Sequence, residues 1–348
     1  MSFLIWYISG IGWPAGIHTN HCAIHRCANG TIVHDTKIFD HHSATLREYA
    51  KTMITATNLV KKFDGFLALD DISFGFSDGE IFGIIGHNGA GKTTLLKIMS
   101  GLIAPTSGSL SVNGIDVVND PVSLKGMLGY LPEESRLYET MTAENYLAFF
   151  GEIYGLSPQV IRERSRQLLS VLSLEPNGKK IGEFSKGMKR KTAIARSLIH
   201  APALLVYDEA TSGLDPMTSR FIADYLRTLK KEGKTIVLSA HNLYQVEAIC
   251  DRVMILRRGK MVAFGSMSEL REQFGSLTYT IFFSIDNPGK LLGHSKTYRQ
   301  EEGLFICDAE SMGELNECTG LIHDAGGKVE KIESRYPSLE EMLLKIGK

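Results

Sequence analysis

The stretch Ile81-Phe-Gly-Ile-Ile-Gly86-His-Asn-Gly-Ala-Gly91-Lys92-Thr93-Thr94-Leu-Leu constrains the fold more than any other part of the chain. It reads as an apolar strand, a glycine-rich turn and the start of a helix, a succession that belongs to the α/β class. Its residues satisfy the spacing G-x-x-x-x-G-K-[ST]. Phosphate oxygens need several amide N–H groups converging on one concavity at a helix N-terminus, where the macrodipole favours an anion. Gly86, Gly89 and Gly91 supply the backbone freedom for such a cradle. Lys92 then offers an ammonium to β- and γ-phosphates, and Thr93 a hydroxyl to the Mg2+ that accompanies them.

Two further segments carry chemistry. Leu204-Leu-Val-Tyr-Asp208-Glu209 is an apolar run ending in two carboxylates, as a buried parallel strand does at its carboxyl edge, where ligands bind. Asp208 is placed to hold Mg2+ and Glu209 to polarise a water as general base, although neighbouring residues on a strand point to opposite faces and one carboxylate could be a solvated strand end. Phe184-Ser185-Lys186-Gly187-Met188-Lys189-Arg190-Lys191 opens the helical pattern TAIARSLIHAPALL. Four cations in a first helical turn oppose the macrodipole unless an anion lies nearby; the alternative is a solvated basic patch.

In this order the segments resemble the nucleotide-binding subunit of an ATP-binding cassette (ABC) transporter, over about residues 53–270. The resemblance implies a P-loop NTPase fold: a RecA-like core with an antiparallel β subdomain and a helical subdomain at about 141–200. It also assigns roles. Gly86, His87, Asn88, Gly89, Ala90, Gly91, Lys92, Thr93 and Thr94 form Walker A and bind ATP; Leu204 to Glu209 form Walker B; Ser212-Gly-Leu-Asp215 is the D-loop. Phe63 matches the aromatic that stacks on adenine, and His241, after the strand TIVLSA, the switch histidine that contacts the γ-phosphate and helps position Glu209 and water.

Two positions depart from the general family pattern. The signature usually written LSGGQ is Phe184-Ser-Lys-Gly-Met188, a form similar to that of ATPases serving exporters whose membrane subunits are separate chains, and the expected Q-loop glutamine is Glu133, still able to ligate Mg2+. With Glu209 and His241 both present, nothing marks a non-hydrolysing copy, which weighs against an ATP-sensing regulator. The resemblance further implies a head-to-tail pair of subunits, as a homodimer or with a paralogue, in which Ser185, Lys186 and Gly187 of one reach the γ-phosphate held by Lys92 of the other. It places transmembrane permease subunits against Thr142–Tyr154 and the chain at the cytoplasmic face of the membrane, peripherally bound.

Outside that region the sequence reads more plainly. Beyond about 276, LTYTIFFSID, GLFICDA and KVEKIESRY read as strands and SMGELNECTGLIHDAG as a helix, a small accessory α+β module through 348. Its last helix opens on the capping box Pro337-Ser338-Leu-Glu-Glu341, with Leu339, Met342, Leu343 and Ile346 on one face. Residues 1–52 differ in composition, holding Trp6, Trp13 and His18, His21, His25, His34, His41 and His42, and read as an unstructured leader or an overextended start. His18, His21, Cys22, His25 and Cys27 offer zinc-type ligands without a second spaced pair. Met1 to Ile17 is uncharged but broken by Gly10, Gly12 and Pro14, too short for a span of about 20 residues and without the cationic start of a signal peptide.

Composition excludes some partners. Lys and Arg number 38 against 39 Asp and Glu, a net charge of −1, so no basic field draws the chain to nucleic acid. Five scattered cysteines form no disulfide framework and suit a reducing compartment. A soluble cassette ATPase acting on DNA or ribosomes is the rival, but no heptad run separates Gly86 from Asp208 and only one cassette is present.

Overall fold

The computed structural model describes residues 52–240, 242–275, 277–287, 298–301 and 303–346. Strands β1 (Thr52–Phe63) and β2 (Phe66–Ser77) form a hairpin whose two turn residues, Asp64 and Gly65, both have positive φ, as a tight right-twisted hairpin requires. Ile72, Phe74 and Phe76 alternate inward along β2. With β4 (Ser107–Val112) and β5 (Ile115–Asp116) they make an antiparallel sheet in the order β2-β1-β4-β5.

The second sheet contains β3 (Ile81–Ile85), β6 (Leu128–Leu131), β7 (Leu204–Asp208), β8 (Thr235–Ser239), β9 (Arg252–Arg257) and β10 (Lys260–Ser266), in the order β10-β9-β3-β8-β7-β6. All its pairings are parallel except the β9–β10 hairpin. Every residue of β3, β7 and β8 is buried, which is why these strands read as unbroken apolar runs rather than alternating ones. Helix α1 (Lys92–Met99) lies between the two sheets, touching β2 and β4 on one side and β7 and β8 on the other. Phe76 and Phe82 close the sandwich with ring centroids 4.5 Å apart.

After α2 (Pro121–Met127), helices α3 (Ala143–Ile153), α4 (Pro158–Val171) and α5 (Lys186–Leu198) pack on one another. Helices α6 (Pro216–Lys231), α7 (Leu243–Ile249) and α8 (Met267–Phe274) complete the body, α6 and α7 against the parallel sheet and α8 against β10.

The remaining strands, β11 (Thr278–Ser284), β12 (Tyr298–Glu301), β13 (Leu304–Ala309) and β14 (Lys328–Arg335), form a separate antiparallel sheet in the order β12-β13-β11-β14. Helix α9 (Met312–Asp324) covers one face of it, burying Leu315, Cys318 and Ile322 against Ile281 and Phe283. The last helix, α10 (Leu339–Ile346), departs from the sequence reading that placed it in this module. Leu339 and Met342 are fully buried in the core of the larger body with Val246 and Leu270, so α10 belongs by packing to α7 and α8. Its amphipathic stripe was legible, but periodicity says only that a face is buried, not against what. The tract with His18 to Cys27 and the Met1 to Ile17 stretch lie outside the described residues.

Candidate functional site

Nine of the ten described helices start on a side-chain cap. Asp120, Thr142, Ser157, Ser185, Asp215, Asn242, Ser266, Ser311 and Ser338 each accept a backbone N–H of the first turn. Helix α1 does not: it begins at Gly91, whose φ is 107°, and no side chain caps it. The first N–H groups of that helix are thus left for another acceptor. A Cβ at Gly91 would lie 2.6 Å from the carbonyl oxygen of Ala68, and one at Gly86 would collide with that of Leu256, so the loop can sit here only because both are glycine. Lys92 is 6% exposed and its ammonium folds back onto the loop, 2.7 Å from the carbonyl oxygen of Gly86 and 3.4 Å from that of His87. Burial lowers its pKa, against the opposing pull of Glu209, Asp208 and Glu133.

A cleft of about 480 Å3 opens over this loop, lined by Asn88 to Thr94, Glu133, Glu209, Ser212, Ala68 and Phe66. Asp208 lies beneath it, 1% exposed at the end of β7. The hydroxyl of Ser239, at the end of the neighbouring β8, donates to Asp208 Oδ1 at 2.5 Å and accepts the N–H of Glu209 at 3.0 Å. Both carboxylates are therefore inside the protein, and neither is a solvated strand end. Glu209 holds φ at 49°, a left-handed conformation that a non-glycine residue keeps only when its surroundings impose it.

The cations in the basic turn of α5 each have a different partner within the chain. Lys189 pairs with Glu139 at 2.7 Å, and Lys191 sits 4.1 Å over the ring of Phe221. Arg190 is turned inward, 7% exposed, and its guanidinium donates to backbone carbonyls. Nε reaches Ala210 O at 2.9 Å, Nη1 reaches Pro132 O and Glu133 O at 2.7 and 3.0 Å, and Nη2 reaches Asp208 O and Glu209 O at 2.9 and 2.6 Å. Within the chain the dipole penalty is offset by the Glu139 carboxylate at Lys189 and by carbonyl oxygens at Arg190.

The cleft thus gathers Asn88, Gly89, Ala90, Gly91, Lys92, Thr93, Thr94, Glu133 and Glu209, with Asp208 as its floor. Gly86 and His87 contribute carbonyl oxygens to Lys92 but line the cavity on the far side of the loop. Phe63 is 42% exposed and does not line the cleft; its cross-strand partner Phe66 does. Ser185, Lys186 and Gly187 are also outside it, packed toward Thr218 and Gly213, and Asp215 caps α6 by accepting the N–H of Thr218 at 2.9 Å. His241 lies outside the described residues. Sequence reasoning missed Phe66, Ser239 and the carbonyl contacts of Arg190. For Ser239 a signal existed: a polar residue closing an apolar strand, next to a strand that ends in two carboxylates.

The cleft and its fold define a nucleotide-binding α/β ATPase. Residues 69–212 match the ABC transporter family. The chain is 38% identical over 296 residues to an uncharacterized ABC transporter ATP-binding protein of Methanocaldococcus jannaschii, covering 84% of this chain and 99% of that protein. It is 34% identical over 307 residues to Nod factor export ATP-binding protein I of Rhizobium sp., covering 85% and 97%. Among solved structures, an ATP binding subunit of an ABC transporter is similar with a TM-score of 0.60 at 34% identity, over 64% of this chain and 93% of that one. A dimeric ATP-binding cassette in a post-hydrolysis state, bound to ADP and Pi, is similar with a TM-score of 0.57 at 25% identity, over 62% and 99%. The chain belongs to the ABC transporter ATP-binding proteins. Among its described residues no helix is long and apolar enough to cross a membrane.

Proposed function

We propose that this chain hydrolyses Mg-ATP at a composite site and couples that cycle to transport, in the export direction, by separate membrane-embedded permease subunits. The observation that carries the reading is the uncapped N-terminus of α1, with the Lys92 ammonium and three carboxylates set around it. The N–H groups of Asn88, Gly89 and Gly91 to Thr94 bind the phosphates, that of Ala90 being held by His87 O at 3.0 Å, and Lys92 exchanges its loop carbonyls for β- and γ-oxygens. Thr93, Asp208 and Glu133 hold Mg2+. That sparse donor set suits an ion that keeps substrate phosphates and water as ligands. When bound, Mg2+ neutralises phosphate charge as the terminal phosphoryl group departs. Glu209 takes the proton of the attacking water, His241 keeps the switch-histidine role that the family likeness gives it, and adenine packs on Phe66 at the cleft and on its cross-strand neighbour Phe63.

A second copy or a paralogue completes the site through its Ser185, Lys186 and Gly187, with Asp215 at the junction. The position of the signature turn outside the chain's own cleft supports this, and the dimeric cassette above is a precedent. The exposed rings of Tyr138, Phe149 and Tyr154, on and beside α3, support a docking surface for the permease subunits there, and with it the reading of a chain peripherally bound at the cytoplasmic face of the membrane. Export is supported by the likeness to the Nod factor export protein.

The test compares ATP affinity and Mg-dependent turnover. Lys92→Ala removes a charge-assisted contact of about 1.5–3 kcal/mol and weakens ATP binding by roughly 10- to 100-fold. Glu209→Gln keeps the affinity, lowers turnover by at least about 100-fold and accumulates an ATP-bound dimer on light scattering. Turnover of Glu209→Gln at the wild-type rate overturns the base assignment. Co-purification from detergent-solubilised membranes of a polytopic partner that stimulates hydrolysis supports transport coupling; ribosomal or DNA-bound partners overturn it.

A further inference from the structure

Arg190 joins three functional segments through one side chain. It rides on α5, five residues beyond Ser185. Its guanidinium donates to five backbone carbonyls, two in the Glu133 loop and three at the end of β7. Nη1 also lies 3.4 Å from Ser135 Oγ. The charge is buried, and burial lowers its pKa to about 10, so it stays protonated at neutral pH. A buried cation satisfied by peptide carbonyls holds them as firmly as it is itself held, because losing any one leaves part of a charge desolvated.

The three carbonyls at β7 belong to consecutive residues, Asp208, Glu209 and Ala210. In an extended strand successive carbonyls alternate in direction, so one donor cannot collect three in a row. They converge because Glu209 is left-handed at φ 49°. That conformation is strained for a residue with a side chain, and the guanidinium contacts offset the strain.

We propose that Arg190 is the positioning residue that fixes the backbone of Glu209 and links it to the Glu133 loop, so that the general base is aimed only while the signature helix and that loop are in register. The inference rests on the reading of Glu209 as the base. Displacement of either segment releases one set of carbonyls, relaxes Glu209 toward ordinary dihedrals and turns its carboxylate away from the reacting water. The ATP cradle on α1 has no contact with Arg190 and is unaffected.

The experiment compares wild type, Arg190→Lys, Arg190→Met and Glu209→Gln for thermal unfolding, ATP affinity and kcat. Lysine keeps the charge but supplies three N–H groups without the planar fork; methionine keeps an apolar stem and supplies none. The expected result is ATP affinity within about 2-fold of wild type for both variants when measured without Mg2+, since Arg190 holds the backbone of the proposed Mg2+ ligands Asp208 and Glu133. kcat should fall by roughly 10-fold for lysine and 100-fold for methionine, the scale of a misaimed catalytic group. A role confined to folding predicts the opposite split, with unfolding temperature and bound fraction falling together while the folded protein keeps its kcat. Either that pattern, or wild-type kcat in folded Arg190→Met, overturns the proposal. Should the methionine variant fail to fold, wild-type kcat in Arg190→Lys overturns it alone. Wild-type turnover in Glu209→Gln refutes instead the reading on which the inference rests, whatever Arg190 does.

Discussion

Removing the hydroxyl of Ser239 tests whether the two carboxylates at the end of β7 are held from the neighbouring strand. The side chain is 1% exposed, and its oxygen donates to Asp208 Oδ1 at 2.5 Å while accepting the N–H of Glu209 at 3.0 Å. In Ser239→Ala a buried carboxylate loses a charge-assisted donor, about 1.5–3 kcal/mol, and a buried N–H loses its acceptor, about 1–3 kcal/mol. Partial repair by water brings the total to about 3 kcal/mol, a fall of roughly 6–12 °C in unfolding temperature for a body of this size. Ser100→Ala is the control. Its hydroxyl is equally buried and donates at 2.8 Å to Leu96 O, which also keeps the N–H of Ser100 at 3.0 Å, so nothing is orphaned and about 1 kcal/mol or less is lost. Urea unfolding of both variants, read as a change of midpoint at constant slope, measures the difference. If Ser239→Ala is no less stable than Ser100→Ala, the bridging role is wrong.

Two other predictions probe the frame around the site. Leu339→Ala, at a fully buried position of α10, costs about 2–5 kcal/mol and lowers the ATP-responsive thermal transition of the nucleotide-binding body; an unmoved transition would return α10 to the accessory module. His200 stacks on Tyr154 with centroids 3.8 Å apart, and its Nε2 lies 3.1 Å from Leu128 O. Burial, first among the causes, pushes its pKa down to about 4 from the usual 6.5. The unfolded chain therefore binds the proton first, so stability is intact above about pH 6.5 and declines as pH falls toward 4. His200→Phe flattens that part of the stability profile, and an unchanged slope would assign it to other groups.

What the sequence disclosed and what it hid divide along a physical line. The cradle was legible because glycines at fixed spacing, a lysine and a strand-to-helix junction admit few backbone paths; the collisions a Cβ would make at Gly86 and Gly91 are the cost that reserves those positions. Strands β3, β7 and β8 were legible because a strand buried on both faces has no polar positions. The pairing of Ser239 with Asp208 was not, since it depends on which strands become neighbours in the sheet. Arg190 is the instructive case. It was grouped with Lys186, Lys189 and Lys191 as one basic turn, yet at helical spacing it shares a stripe with Ala193, Ile194 and Ser197, all of them buried. A charge on the buried stripe of an amphipathic helix must find partners inside the protein. Charge counted along the chain groups Arg190 with its neighbouring lysines; charge placed on the helix points it to the carbonyls of Asp208, Glu209 and Ala210.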